Sequence, residues 1–209
     1  DVWTKEVFAN HFSAWITEPL FPSVNHKLQR MRTFFASALS EDRTPGTNAI
    51  HQELDNLRNA GLIYGQIIYN KAPVVMGKII ELMGEDVFRE GIREYLRTYA
   101  YSNATWDDLI RILDRHTPED LIAFNDAWVN RKGMPIIRFT PRGNTLEIRQ
   151  KDRYAPGIVR PQRFAVTLAA RGQTDTTLEV NLRDSLVRLT LPFAPERVLP
   201  NTDGRAYGL

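Results

Sequence analysis

At Arg131-Lys132-Gly133-Met134-Pro135 the chain changes its apolar period, and that switch limits its fold more than any other feature. Upstream, apolar residues recur every three or four positions, the spacing of one face of a helix. Downstream they alternate every second residue, the spacing of a half-buried strand. A helical portion over residues 1–133 followed by a strand-built portion over 134–209 is therefore expected, an α+β chain ending in a small β-sandwich. A length of 209 residues is enough for two such units, each with a core.

Start and stop signals divide the first portion. Phe8, Phe12 and Trp15, at i, i+4 and i+7, predict a buried stripe on a first helix over about Trp3 to Ile16, with Pro19 stopping it. Glu6, Asn10 and Ser13 share another face of it. A second helix is expected over 26–39, turns around Thr44-Pro45-Gly46, and a short helix over 53–58. Asn70 reads as the cap of a helix with Pro73 in its first turn, Val75, Ile79 and Met83 on one face, and Gly84 at its end. Phe88, Ile92 and Tyr95 mark the next helix, up to about Tyr99, and Thr105 with Asp108 predicts a capping box before Leu109, Ile110 and Leu113. Thr117-Pro118 reads as the start of the last helix, through Leu121, Phe124 and Trp128, with Arg131, Lys132 and Gly133 suited to its C-terminus. Strands are predicted over 136–140, 145–150, 163–168, 177–182 and 186–191, with turns such as Arg142-Gly143-Asn144 between them.

Composition excludes several classes. No run approaches eighteen consecutive apolar residues, so no transmembrane span is expected. The net charge is +2, and cations alternate with acids instead of gathering into a stripe with interleaved aromatics, which argues against nucleic-acid binding. The absence of cysteine rules out disulfides, thiolate metal sites and thiol nucleophiles. It fits a cytosolic and a bacterial extracytoplasmic location equally well.

Two short segments carry chemistry. On the residues alone, Glu6 is a favourable charge in the first turns of a helix, and Tyr69 is one more half-buried aromatic with its hydroxyl at the surface. The four histidines, His11, His26, His51 and His116, include no pair four residues apart with Glu between, the spacing that sets two imidazoles on one helical face around a metal. Yet Trp3-Thr4-Lys5-Glu6-Val7-Phe8-Ala9 resembles the W-x-x-E-G-F-A segment of the aminopeptidase N-like zinc metallopeptidases, the gluzincin aminopeptidases. About sixty residues on, Tyr69-Asn70-Lys71-Ala72 resembles their Y-x-K-G motif.

Weaker matches follow in family order across nearly the whole chain: Leu82 to Phe88, Tyr95-Leu96, Asn103-Ala104-Thr105, Trp128 with Gly133-Met134-Pro135, and Leu199 to Gly204. The resemblance implies that Glu6 is the third protein ligand of a catalytic zinc and that Tyr69 hydrogen-bonds the oxyanion of the tetrahedral intermediate. It places the H-E-x-x-H helix before Asp1, so the chain is expected to be the C-terminal part of a catalytic domain plus the following β-sandwich. Its opening on Asp-Val-Trp in place of an initiator Met agrees with a fragment of a longer protein. Zinc and a peptide substrate are implied for the parent, a zinc aminopeptidase. This segment alone is expected to bind no zinc and to be inactive, since one carboxylate cannot make a site that needs three protein ligands. Two alternatives stand beside this reading: a non-catalytic binding or scaffold member of the same fold, and an unrelated helical plus β-sandwich interaction module. Val7 and Ala72 stand where the family carries Gly, and Val7 adds a branched side chain beside Glu6.

Overall fold

A computed structural model describes Asp1 and residues 3–209 and shows the α+β architecture that the period switch implies. It divides into a helical unit, Asp1–Lys132, and a strand unit, Gly133–Leu209.

In the helical unit, α1 spans Thr4–Thr17, and Pro19 falls in a 3-10 turn at its end, Glu18–Leu20. Its buried side is Trp3 and Val7, one turn apart, with Trp3 packed on Trp106 at 4.8 Å between ring centroids. The expected stripe of Phe8, Phe12 and Trp15 is only half-buried. These rings pack on one another at 5.6 and 5.8 Å and reach Tyr95 and Phe88, so aromatic contact replaces full burial. Val7 itself is wholly buried, so its branched side chain is absorbed by the core.

The second helix runs past its expected end, as α2 (His26–Arg30), a π turn (Met31–Phe35) and α3 (Ala36–Asp42). Asn25 caps it, its side-chain oxygen accepting from the Leu28 N–H at 3.0 Å. The short helix expected over 53–58 lies later, as a 3-10 turn at Leu57–Asn59 and α4 at Ala60–Ile63. A second π turn, Ile67–Lys71, leads without a break into α5, Ala72–Met83, which carries the centre of the core in Val75, Met76 and Ile79. Asn70 is therefore inside the helix and caps nothing; its amide donates to Gln66 one turn back.

Gly84, at φ +88°, ends α5 in a conformation that disfavours any other residue, and α6 (Glu85–Thr98) begins directly after it. Before α7 (Trp106–Arg115) the capping box is complete, with Thr105 and Asp108 each bonded to the other's backbone N–H. The last helix, α8 (Leu121–Asn125), starts from Asp120 and not from Thr117, whose hydroxyl closes a local turn on the Glu119 N–H. A third π turn, Asp126–Asn130, completes it.

Helices α6 and α7 are clasped at the surface by Glu94, which accepts from Arg115 at 2.5 Å and lies 2.6 Å from His116 Nε2. Hydrogen bonds from His116, then from Arg115, hold the Glu94 carboxyl below its ordinary value of 4.5. A depressed carboxyl contributes stability above the unfolded value, and that contribution is lost as pH falls through the folded one. Glu94→Gln is therefore expected to lower Tm at pH 7, with the gap to wild type closing as pH drops below about 4.5; thermal melts across that range measure it. A gap independent of pH would show that the carboxylate charge is not what the clasp uses.

The strand unit contains β1 (Pro135–Arg142), β2 (Thr145–Asp152), β3 (Gln162–Ala169), β4 (Thr176–Leu182), β5 (Leu186–Thr190) and β6 (Arg197–Pro200). They form two antiparallel three-stranded sheets, ordered β1-β2-β5 and β4-β3-β6. Both sheets contribute to one core, with Leu146 and Ile148 from the first and Phe164, Val166 and Val180 from the second. This is the sandwich arrangement. Toward its end the inner face of β2 turns polar, where Asp152 meets Arg160 at 2.6 Å with both side chains wholly buried.

Candidate active site

Glu6 lies on α1, three positions after Trp3 and one before Val7. Because those two neighbours turn into the core, Glu6 is left on the helix flank, and its side chain is 24% exposed. Its neighbour Lys5 approaches it at 3.7 Å, a weak contact for a largely exposed ammonium. The Tyr64 phenol, and after it Glu6, hold the Lys5 ammonium above its usual range.

Tyr69 sits inside the π turn Ile67–Lys71, not ahead of a helix as the Asn70 cap would have placed it. A π turn inserts one extra residue into a helical turn and so re-aims the side chains it carries; such turns are rare and recur at functional sites. Within it Ile67, Ile68 and Lys71 are buried, while Tyr69 is 39% exposed. Its ring stacks on Tyr64 at 5.9 Å, and Lys5 Nζ lies 5.8 Å from the Tyr64 ring centre. The Asn10 amide, one turn beyond Glu6 on α1, donates to the Tyr69 carbonyl at 3.3 Å. Glu6 and Tyr69 thus belong to elements tied by a hydrogen bond at one point and by the Lys5–Tyr64–Tyr69 contacts at another.

The motif lysine has a different environment. Lys71 is wholly buried and forms an ion pair at 2.8 Å with Asp42, equally buried, at the end of α3. Thr47 donates its hydroxyl to the other Asp42 oxygen at 2.7 Å. Sequence reasoning missed this pair. Asp42 stands 29 residues before Lys71, and nothing in the local pattern of either residue marks it as buried.

The histidines are engaged elsewhere. His26 Nε2 lies 2.7 Å from the Phe21 carbonyl, His51 faces Asp1 at 3.6 Å, and His116 meets Glu94. Burial pushes the His11 imidazole down to about 4, so it is neutral at physiological pH. It lines a cavity of about 250 Å³ with Trp15, Phe34, Gly77 and Glu81, a cavity to which Glu6 and Tyr69 do not contribute. Among the described residues no group of three His, Cys, Asp or Glu side chains could hold a metal ion. The Glu6 carboxylate is of the donor type that a catalytic zinc takes as one of its three protein ligands.

Residues 1–128 match the peptidase family M1 domain. Over 189 residues the chain is 26% identical to a leucyl aminopeptidase of Saccharolobus solfataricus, covering 90% of this chain and 24% of that protein. It is 28% identical over 152 residues to aminopeptidase N of Lactococcus lactis subsp. lactis, covering 72% of this chain and 18% of the relative. With tricorn protease-interacting factor F2 of Thermoplasma volcanium it shares 24% identity over 157 residues, 75% of this chain and 20% of the other. The chain thus spans a quarter or less of the length of these relatives.

Proposed function

The chain belongs to peptidase family M1, and on that premise we propose that it is part of a zinc aminopeptidase that removes N-terminal residues from peptides. Residues 1–133 are read as the helical part of the catalytic domain and 134–209 as the β-sandwich domain that follows it. In this reading Glu6 supplies one carboxylate ligand to zinc, and two imidazoles of an H-E-x-x-H segment outside this chain supply the others. When bound, zinc lowers the pKa of the attacking water and polarises the scissile carbonyl. Tyr69 donates its phenolic hydrogen to the carbonyl oxygen as negative charge builds on it. A neutral donor aimed at that oxygen lowers the barrier because it binds the transition state more tightly than the substrate.

The observation that carries the proposal is the tie between α1 and the π turn. The Asn10 amide holds the Tyr69 carbonyl one helical turn from Glu6, so a carboxylate and an exposed phenol are offered by neighbouring elements. Family membership supplies the reaction class. The full-length protein is expected to hydrolyse an aminoacyl reporter substrate, to lose that activity on chelation and to regain it on addition of zinc. Full activity in metal-free protein, or zinc-loaded protein without aminopeptidase activity, would overturn it.

A further inference from the structure

We propose that the buried Asp42–Lys71 ion pair is a positioning device for Tyr69, fixing the register of the π turn from which the phenol projects. The inference rests on the reading of Tyr69 as the oxyanion donor. Lys71 closes the turn Ile67–Lys71 and points into the core, while Tyr69, two residues earlier, points out. Lys71 Nζ reaches Asp42 Oδ2 at 2.8 Å with neither side chain exposed, and the Thr47 hydroxyl, itself buried, orients the second oxygen at 2.7 Å.

Such a pair is a poor way to gain stability. Both charges are stripped of water, and apolar residues of the same volume often serve a core equally well. What an ion pair adds is direction. A short charge-assisted contact requires one distance and one direction between the two segments, a geometric demand that apolar packing does not make. Here the two segments are the end of α3 and the turn carrying Tyr69. On its other side the same turn is held by Asn10, one helical turn from Glu6, through the Tyr69 carbonyl. The turn is thus gripped from α3 and from α1, and a slip at Lys71 would move the phenol relative to the Glu6 carboxylate. Oxyanion donors act over a narrow distance range, so a slip of this kind reaches the rate before it reaches the fold.

The test uses the full-length enzyme with Asp42→Leu and Lys71→Met together, which replaces the pair by apolar residues of similar size. The double variant is expected to keep its zinc and a Tm within a few degrees of wild type, and to lose about 10-fold in kcat with KM within about twofold. The decisive readout is the same double substitution in a Tyr69→Phe background, where it should cost nothing further, because there is no phenol left to aim. A wild-type kcat in the folded double variant, or an equal loss with and without the phenol, overturns the inference and returns the pair to a merely structural role. Asp42→Asn serves if the double variant does not fold. It keeps the shape and is expected to lose a few-fold in kcat, again only when Tyr69 is present; unchanged kcat overturns the inference. The two levels fail differently. A Tyr69→Phe enzyme with wild-type kcat removes the reading beneath and the inference with it, whereas a slow Tyr69→Phe enzyme beside an unaffected pair variant removes the inference alone.

Discussion

Replacing Tyr69 with phenylalanine in the full-length protein is expected to lower kcat about 10²-fold while KM and zinc content stay close to wild type. The substitution removes one hydroxyl from a ring whose packing persists, since the stack on Tyr64 at 5.9 Å needs only the aromatic face. A donor that engages the oxygen only as charge develops on it contributes to the transition state and not to substrate binding, which is why kcat falls and KM does not. Glu6→Ala is the contrasting case. On the proposed reading it takes away a zinc ligand, so zinc content and rate should fall together, and added zinc should restore part of the rate. Steady-state kinetics beside zinc quantification separates the two patterns. A Tyr69→Phe enzyme with wild-type kcat would make Tyr69 an ordinary half-exposed aromatic.

Sequence reasoning reached the features that local physics decides. The change of period at Arg131–Pro135 marks where the two units divide, and Thr105 with Asp108 forms the capping box its spacing predicts. Gly84 ends α5 because only a residue without Cβ adopts its backbone angle comfortably. Features that depend on distant partners were not legible. The π turns are one example: the extra residue shifts which positions face the core, but over a single turn that shift has no signature of its own in the sequence, so Asn70 looked like a cap when it lies inside the helix. Strand β6 is another, four residues ending in Pro200, too short to show a period. Lys71 and Lys78 are the largest case. Amphipathic reading assigns a lysine to solvent, yet Lys71 is buried against Asp42, and Lys78 lies 5.6 Å from the centre of the Trp128 ring. In the candidate site, Glu6 and Tyr69 are proposed from their motifs, while Asn10, which bonds the Tyr69 carbonyl, and Asp42, which pairs with Lys71 and accepts from Thr47, belong to no motif and become visible only in the packing.

Trp128→Ala is expected to destabilise the helical unit by about 3–5 kcal/mol, the range for deleting a large buried aromatic. Trp128 is wholly buried in the π turn Asp126–Asn130, with the Phe124 ring 6.1 Å away on the same helix. Truncation would open a cavity at this point and also remove the ring face that the Lys78 ammonium meets, so a buried cation would lose a favourable neighbour. Just beyond the ring, the Val129 carbonyl accepts from the His51 N–H at 3.0 Å, anchoring the loop after α3 to the same turn. Five residues after Trp128, Gly133 at φ +92° stands where a Cβ would come within 2.6 Å of the Tyr154 ring, and Pro135 then opens β1. The W-x-x-x-x-G-x-P pattern therefore has a physical basis: a core anchor, a residue without Cβ where backbone angle and packing both require it, and a strand start that needs no helical N–H. Thermal unfolding should show Tm lower by more than about 10 °C for Trp128→Ala, and Trp128→Phe, which keeps a ring beside Lys78, should recover much of that loss. A Trp128→Ala protein within about 1 kcal/mol of wild type would mean that the helical core can collapse around the vacancy and that Trp128 is not its anchor.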